Sequence, residues 1–286
     1  MTAILIAAIV SGSIYALISL GSAIAFRLSG VFNLSHGGLL VTAGYLNHFL
    51  VTSGRFSAWL AIPLAIALAG AVGFLIEAWA IPRAKAVGLK SVDLMILSWL
   101  ALVVIQNLLA LAFSNASIYM GGSEVSPGWA FLGTRITPFQ MSIVAISFTA
   151  GLLLLFLARK SATGREILAV GDNARMAMIC GVNVRRIIAT NAAVASCLTA
   201  GAGVLLSYHE RLDPALGMRF SVIGIISTLA GSRLGPAGAV VGGLGLALAE
   251  SLVLYCVDPA LRNATVYLCL FGVVLFTYRH SSVPTD

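Results

Sequence analysis

The sequence predicts an all-α polytopic membrane protein with a single transmembrane domain over residues 1–286. Apolar residues fill 59% of the chain and charged residues only 9%, whereas soluble proteins carry about 25% charged residues. The apolar residues form runs of roughly 20, the length with which an α-helix crosses a bilayer core of about 30 Å. We therefore expect about eight or nine transmembrane helices joined by short loops, one of them broken or re-entrant.

Nine apolar segments account for the expected helices. The segment at 219–231 has about 13 residues, and at about 1.5 Å per residue it is too short to cross alone, so we expect a half-helix or a re-entrant helix there. The complete set is 3–25, 37–53, 58–80, 93–113, 138–158, 187–207, 219–231, 237–256 and 263–279.

The distribution of positive charge predicts the orientation. No positive residue precedes the first apolar run and Arg27 follows it, which is the reverse of an export signal, so we expect a retained first helix with its N-terminus outside. If the polar loop 159–187 is cytoplasmic, alternation places most of the 17 lysines and arginines on that side, together with the C-terminus. The net charge of +7 then reflects orientation in a lipid bilayer and does not indicate nucleic acid binding.

The loop 159–187 contains a segment, GDNARMAMICGVN at 171–183, that predicts one short helix. Asp172 or Asn173 can cap its first turn, and Gly181 can end it by adopting a left-handed backbone angle. The spacing i, i+3, i+4, i+7 gives one narrow apolar face, which consists of Ala174, Ala177, Met178 and Gly181. Arginines surround this face: Arg165, Arg175, Arg185 and Arg186.

These features are typical of a helix that docks a cytoplasmic partner. Cytoplasmic loops of membrane proteins are, however, generally basic and often fold a surface helix. The periodicity alone leaves both interpretations open.

The segment 30–38, GVFNLSHGG, joins the first two helices and places Asn33, Ser35 and His36 between glycines. Irregular backbone at membrane depth is tolerated where protein buries it or where water reaches it. The three polar side chains therefore fit two interpretations. They line a translocation pathway, or His36 is an ordinary hydrogen-bonded residue at a helix interface.

A second break is expected within 231–245, GSRLGPAGAVVGGLG, where Gly238 and Gly242 form a GxxxG pair that permits close helix packing. The step from Gly235 to Pro236 must interrupt a helix. The N-terminus of the next helix then offers partial positive charge, which near the midplane can hold an anionic group such as a carboxylate. Gly231, Gly235 and Gly238 are thus candidate pathway residues, with close packing as the alternative.

Two acids, Glu77 and Glu250, lie within apolar segments, where charge is costly. For Glu77 we expect pairing with Arg83 or a position near the cytoplasmic end, and for Glu250 hydrogen bonds to a neighbouring helix. The alternative for both is proton coupling, which would make the chain an ion- or proton-coupled secondary transporter.

Motifs of catalysis are missing from the sequence. It has no GxxxxGK[ST] loop for nucleotide phosphates, and no GxSxG or HExxH motif. Its four cysteines lie far apart without a CxxC pair, so we expect neither disulfides nor metal ligands. A permeation pathway without enzymatic activity is the simplest interpretation. A structural scaffold or a membrane enzyme is the alternative, but the sequence offers no catalytic constellation to support it.

Three stretches resemble the inner-membrane permease subunits of bacterial branched-chain amino acid ABC importers, in particular the shorter, LivH-like type. The first is GSIYALISLG at 12–21 with GVFNLSHGGLLVTAGYL at 30–46. The second, 164–206, is similar to the family's cytoplasmic loop and following helix, with Ala177 and Gly181 at the loop's core. The third is LAGSRLGPAGAVVGGLGLALAESL at 229–252. Together they span residues 12–252 and occur in the family's order.

The chain departs from the family pattern near the candidate pathway. Ser35 stands where alanine is usual, Ala230 where a second glycine is usual, and Arg233 where a small residue is common. These departures are compatible with a different ligand within the family, such as urea, a short amide or another amino acid.

The resemblance implies the partners. Two permease chains, identical or homologous, would form the pathway in the bacterial inner membrane, and an external solute-binding protein would deliver the solute. Two ATPase subunits, which hold the ATP and Mg, would dock beneath them on the short helix, including Asp172. This chain itself would bind no cofactor.

Overall fold

The computed structural model describes residues 2–121, 129–131, 134–231, 235–256 and 261–281. Within these ranges a π-helical segment spans Leu75–Ala80, and a short 3-10 turn spans Pro214–Leu216. One antiparallel hairpin pairs β1 (Trp129–Phe131) with β2 (Thr134–Ile136). The α-helices are α1 (Thr2–Ser29), α2 (Ser35–Thr52), α3 (Ala58–Phe74), α4 (Ile81–Ala86), α5 (Ser91–Phe113), α6 (Pro138–Lys160), α7 (Ala162–Ile179), α8 (Val184–His209), α9 (Gly217–Ala230), α10 (Pro236–Cys256) and α11 (Arg262–Ser281).

The helical architecture agrees with the prediction from the sequence. Each of the nine predicted segments coincides with a helix, and the polar loop supplies α7. Among the described residues, six helical stretches are long and apolar enough to cross a membrane: α1, α3 together with α4, α5, α6, α8 and α10. The chain is therefore a polytopic membrane protein.

Helix α1 forms the centre of the bundle. It packs against α6, α8, α9 and α10, and Ile14, Tyr15 and Leu20 on it are fully buried. A helix that is apolar on all sides, as α1 is, is typical of a buried position. Helices α5 and α6, by contrast, turn much of their apolar surface outward.

Glycines bring α10 close to α1. A Cβ atom at Gly243 would lie 3.0 Å from the backbone nitrogen of Ala16, and one at Gly12 would lie 2.9 Å from the Leu244 side chain. Since no larger residue fits at Gly243 without moving α1, this glycine sets the distance between the two helices.

Helices α2 and α9 begin inside the bundle. The backbone of Gly37 lies against that of Gly217, so the two N-termini meet. His36 reaches Thr199, which lies against Gly21 of α1. Gly21 lies about eight residues before the end of α1, so α2 begins about 12 Å short of that end, and the chain turns back into the bundle before α2.

Helix α9 is a half-helix, as its length predicted. Its 14 residues extend about 21 Å, which is shorter than a bilayer core of about 30 Å. The segment before it carries the chain from the end of α8 down to the level at which α2 begins.

We expect Gly243→Leu to destabilise the protein by about 1 to 3 kcal/mol or more, because the added side chain overpacks the contact with α1. Thermal unfolding of the detergent-solubilised protein would measure this. Gly245→Leu is the matched control, since a Cβ atom at Gly245 meets nothing within 4 Å. Equal melting temperatures for the two variants would contradict the proposed role of Gly243.

Candidate functional site

A buried group of polar side chains surrounds the start of α2. The Glu77 carboxylate accepts a hydrogen bond from Asn33 Nδ2 at 2.9 Å and is paired with His36 Nε2. His36 Nδ1 lies 2.9 Å from Thr199 Oγ1 on α8. His36 is 1% exposed and Glu77 9%. We call Asn33, His36, Glu77 and Thr199 the polar cluster; it ties the start of α2 to the π-helical segment and to α8.

The first turn of α2 receives its hydrogen-bond partners from side chains. Asn33 Oδ1 accepts hydrogen bonds from the backbone nitrogen of Ser35 at 3.0 Å and from Ser35 Oγ at 2.6 Å. The backbone nitrogen of Gly37 donates to Ser221 Oγ of α9 at 3.1 Å. The first N–H groups of a helix have no partner within the helix, and an unpaired buried N–H is costly. These contacts therefore allow a helix to begin within the bundle.

Glu77 lies in the π-helical segment, a rare geometry that is frequent at functional sites. The expected pairing of Glu77 with Arg83 is wrong. Arg83 lies instead over the Trp79 ring, 4.2 Å from its centroid. A buried carboxylate is costly unless it is hydrogen-bonded, and Glu77 obtains two bonds at the N-terminus of α2, where the helix dipole also favours negative charge.

The Thr199 hydroxyl has two neighbours with which it can hydrogen-bond. His36 Nδ1 lies 2.9 Å from it, and the carbonyl oxygen of Ala195 on the same helix lies 3.1 Å from it. Thr199 therefore connects the start of α2 to the backbone of α8.

The predicted pathway residues of the first break are mostly enclosed. Ser35 and His36 are buried and hydrogen-bonded within the chain, and Asn33 is half-buried. In this structure they support the start of α2, as the helix-interface interpretation of His36 expects. Contact between these side chains and a transported solute stays a prediction.

Two of the predicted pathway glycines, Gly231 and Gly238, are packing residues in this structure. A Cβ atom at Gly231 would overlap the carbonyl group of Gly238, and one at Gly242 would overlap the backbone of Ser227. The GxxxG pair therefore brings α10 against α9, as the packing interpretation expected.

The second break lies at the end of the bundle, which corrects the expected position near the midplane. Gly235 has a φ of +62° immediately before Pro236, where α10 begins. A Cβ atom on Gly235 would lie 4.0 Å from Arg27 NH1 near the end of α1. Arg233, within 232–234, lies outside the described residues.

The short helix predicted in the polar loop is present as the second part of α7. Asn173 has non-helical angles, φ −156° and ψ 98°, and its Oδ1 accepts from the Met176 backbone nitrogen at 3.0 Å. Asn173 is therefore the N-cap. The alternative cap, Asp172, instead pairs with Arg27 of α1 at 2.9 Å. At the other end Gly181 has a φ of +87°, the left-handed angle that the sequence predicted.

The predicted apolar face of this helix is divided, which is a correction. Ala177 is only 5% exposed because it packs against Val170 and Ile187. Met178 is 62% exposed, and Ala174 and Gly181 are exposed as well. The large apolar side chains that face outward are Met176, Met178 and Ile179. The predicted rim arginines are also exposed: Arg165, Arg175 and Arg185.

A second buried charged group joins α1, α9 and α10. Arg219 is paired with Glu250, and Tyr15 donates its hydroxyl to Glu250 Oε2 at 2.6 Å. A further carboxylate, that of Glu210, lies 3.9 Å from Arg219 NH1. The expectation that Glu250 hydrogen-bonds to a neighbouring helix is confirmed.

The sequence interpretation missed several residues that the structure brings into these groups. Arg219 is the first residue of the predicted segment 219–231, and isolated hydroxyl residues in apolar helices carry no periodic signal. One of them, Ser98 of α5, accepts from the backbone nitrogen of Leu34 at 3.1 Å. An informative signal was available for Arg219, since a lone arginine near an apolar segment needs an acid such as Glu250. Among the described residues, no group of three or more metal-ligating side chains occurs.

Comparison with known proteins shows similarity over nearly the whole chain. Residues 4–277 match the family model for the permease component of branched-chain amino acid transport systems. The chain is 26% identical over 277 residues to the high-affinity branched-chain amino acid permease protein LivH of Escherichia coli (strain K12), covering 92% of this chain and 89% of that protein.

Two further relatives extend the comparison. The chain is 23% identical over 288 residues to the high-affinity branched-chain amino acid permease protein BraD of Pseudomonas aeruginosa, covering 93% and 90% of the two proteins. It is 28% identical over 261 residues to the L-arabinose ABC transporter permease protein AraH of Azospirillum brasilense, covering 86% of this chain and 70% of that one.

We expect Thr199→Val to lower the free energy of unfolding by about 1 to 3 kcal/mol, because it leaves buried His36 Nδ1 without its partner. Thr190→Val on the same helix is the control. Thr190 also bonds its own helix, at the Arg186 carbonyl oxygen, so its replacement should change stability by about 0.5 kcal/mol or less. Denaturant titration in detergent measures both, and equal effects would contradict the contribution of His36.

Removing one partner of the Arg219 and Glu250 pair should cost about 3 to 5 kcal/mol, because the other charge is left buried. Arg219→Met and Glu250→Leu combined should be more stable than either single variant. A double-mutant cycle in the same titration tests this. A double variant as unstable as the sum of the two losses would show that the buried charges are not coupled.

Proposed function

Since the chain belongs to the permease-component family of branched-chain amino acid transport systems, we infer that it is the membrane-spanning permease subunit of an ATP-binding-cassette importer. The observation that carries this conclusion is the family match over residues 4–277, which covers the helical bundle. Its solute is a branched-chain amino acid or a related small polar solute such as urea or an amide. The similarity to an arabinose permease supports the wider solute class.

The alternative of an ion- or proton-coupled secondary transporter gains no support. Its two candidate acids, Glu77 and Glu250, are each held by hydrogen bonds to neighbouring segments of the chain. The relatives of this chain described above are permease proteins of transport systems, two of them for branched-chain amino acids.

The proposed assembly contains two permease chains, this one and a homologous or identical partner, in the bacterial inner membrane. Two ATPase subunits bind ATP and Mg, and a solute-binding protein delivers the solute from outside. The N-terminus lies outside and the C-terminus is cytoplasmic, which requires an odd number of crossings and so favours nine over eight. This orientation rests on the excess of lysine and arginine on the side of α7.

The second part of α7 is the proposed contact with the ATPases. It presents Met176, Met178 and Ile179 outward, with Arg165, Arg175 and Arg185 as the charged rim. For ATP to drive a conformational change, the ATPases must contact this helix differently in their two states. Ala177 on its inner side packs against Ile187 of α8, and α8 carries Thr199 of the polar cluster. This packing gives the helix a physical connection to the start of α2.

Replacing Met178 by glutamate should weaken ATPase binding and lower solute uptake by tenfold or more, because a charge would enter an apolar contact. The measurements are uptake and the amount of ATPase that co-purifies with the permease. Val87→Glu is the matched control, since Val87 is an exposed apolar residue after α4 that lies outside α7.

Met178→Glu avoids a difficulty that a charge at Ala177 would create, because Ala177 is buried and its replacement would disturb the packing of α7 itself. Normal uptake and normal co-purification of the Met178→Glu variant, at unchanged amounts of protein in the membrane, would refute the docking role of this helix.

A further inference from the structure

A long apolar groove runs along α8, on the side of the bundle away from the polar cluster. Its volume is about 700 Å³. It extends from Val194 to Tyr208, which is about 21 Å along the helix. Helices α3 and α6 form its two walls, and its inner lining includes Ile66, Ile146, Ala150, Cys197, Gly201 and Leu205.

The groove exists because two outer helices flank α8 without meeting. Helix α3 packs along α8, and α6 packs mainly along α1, while α3 and α6 do not pack against each other. Gly201 lies in the floor between them. A Cβ atom there would meet only Ile66, at 3.9 Å, so the groove is open where a larger residue would fill it.

One end of the groove has the character of a membrane interface. Trp59 is 89% exposed there, and the rings of Phe139 and Tyr208 lie 5.0 Å apart. Tryptophan and tyrosine are enriched at the level of lipid headgroups. Two exposed arginines, Arg55 before α3 and Arg211 after α8, belong to the same end. Positive side chains at headgroup level attract lipid phosphate.

The chemistry of the groove favours a lipid as its occupant. A polar solute would find few partners, because the polar side chains of the lining lie mainly near the aromatic end, at Trp59, Ser142 and Tyr208. Ligand sites of this volume are typically lined by apolar side chains.

We propose that this groove is a phospholipid site. One acyl chain lies along α8 over Gly201, and its phosphate remains at the aromatic end near Arg55 and Arg211. The lipid comes from the leaflet that contains Trp59. It fills the gap between α3 and α6 and is distinct from the lipids that surround the bundle.

The test uses the whole importer in nanodiscs that contain phosphatidylglycerol with a diazirine in the middle of one acyl chain. After illumination, mass spectrometry should locate most of the adducts on 197–205 and on the facing walls. Gly201→Phe should reduce adducts in this region at least fivefold. Gly245→Phe is the control, since it adds the same side chain to an open, exposed face of α10, and it should leave the groove adducts unchanged.

Ala150→Phe fills the groove from the α6 wall and should reproduce the effect of Gly201→Phe. Agreement between the two variants would show that the loss of adducts does not come from a local folding defect at α8. Adducts spread evenly over the outer helices and insensitive to both variants would overturn the proposal. A cross-link from Cys197 to another protein subunit, formed by a bifunctional thiol reagent, would also overturn the proposal, because protein would then occupy the groove. Neither readout depends on transport.

Discussion

The position at which α2 begins depends on one buried carboxylate. Glu77 accepts hydrogen bonds from Asn33 and His36, and Asn33 in turn caps the first turn of α2. Within a bilayer, every backbone group that leaves a helix must find a partner in the protein. The segment that these bonds hold in place then meets the half-helix α9 at Gly217 and contacts α8 through Thr199.

The helical framework was predictable because it follows from composition and length. Runs of about 20 apolar residues specify helices in a membrane protein, and the shortness of 219–231 was sufficient to predict a helix that does not cross alone, either a half-helix or a re-entrant one. The π-helical segment was not predictable, since LIEAWA at 75–80 has no composition that distinguishes it from an α-helix. The order in which helices pack, with α1 at the centre, likewise depends on contacts between distant parts of the chain.

The candidate site was predictable in part. Capping and end signals located the short helix of α7, because the preferences of asparagine and glycine are local. The direction of its apolar face was not, since four positions on one face do not reveal whether that face meets the bundle or a partner. Ala177 and Met178 are neighbours in the sequence, yet one is buried and the other exposed. Similarly, Glu77 and Arg83 are near in sequence, but the partners of Glu77 come from the preceding loop and helix.

The π-helical segment also limits how this sequence can change during evolution. A π-helix holds an extra residue per turn relative to an α-helix, so the segment Leu75–Ala80 has the form of a one-residue insertion between α3 and α4. A natural deletion of one residue there would restore a continuous α-helix and leave the two flanks in their present relative orientation. Helix α3 would keep its packing against α8, and Lys85 would keep the carbonyl oxygen of Ser29, to which it donates at 2.5 Å. The change would be confined to the bulge that carries Glu77 to Asn33 and His36. Homologues with one residue fewer at these six positions should therefore have a different partner at the start of α2.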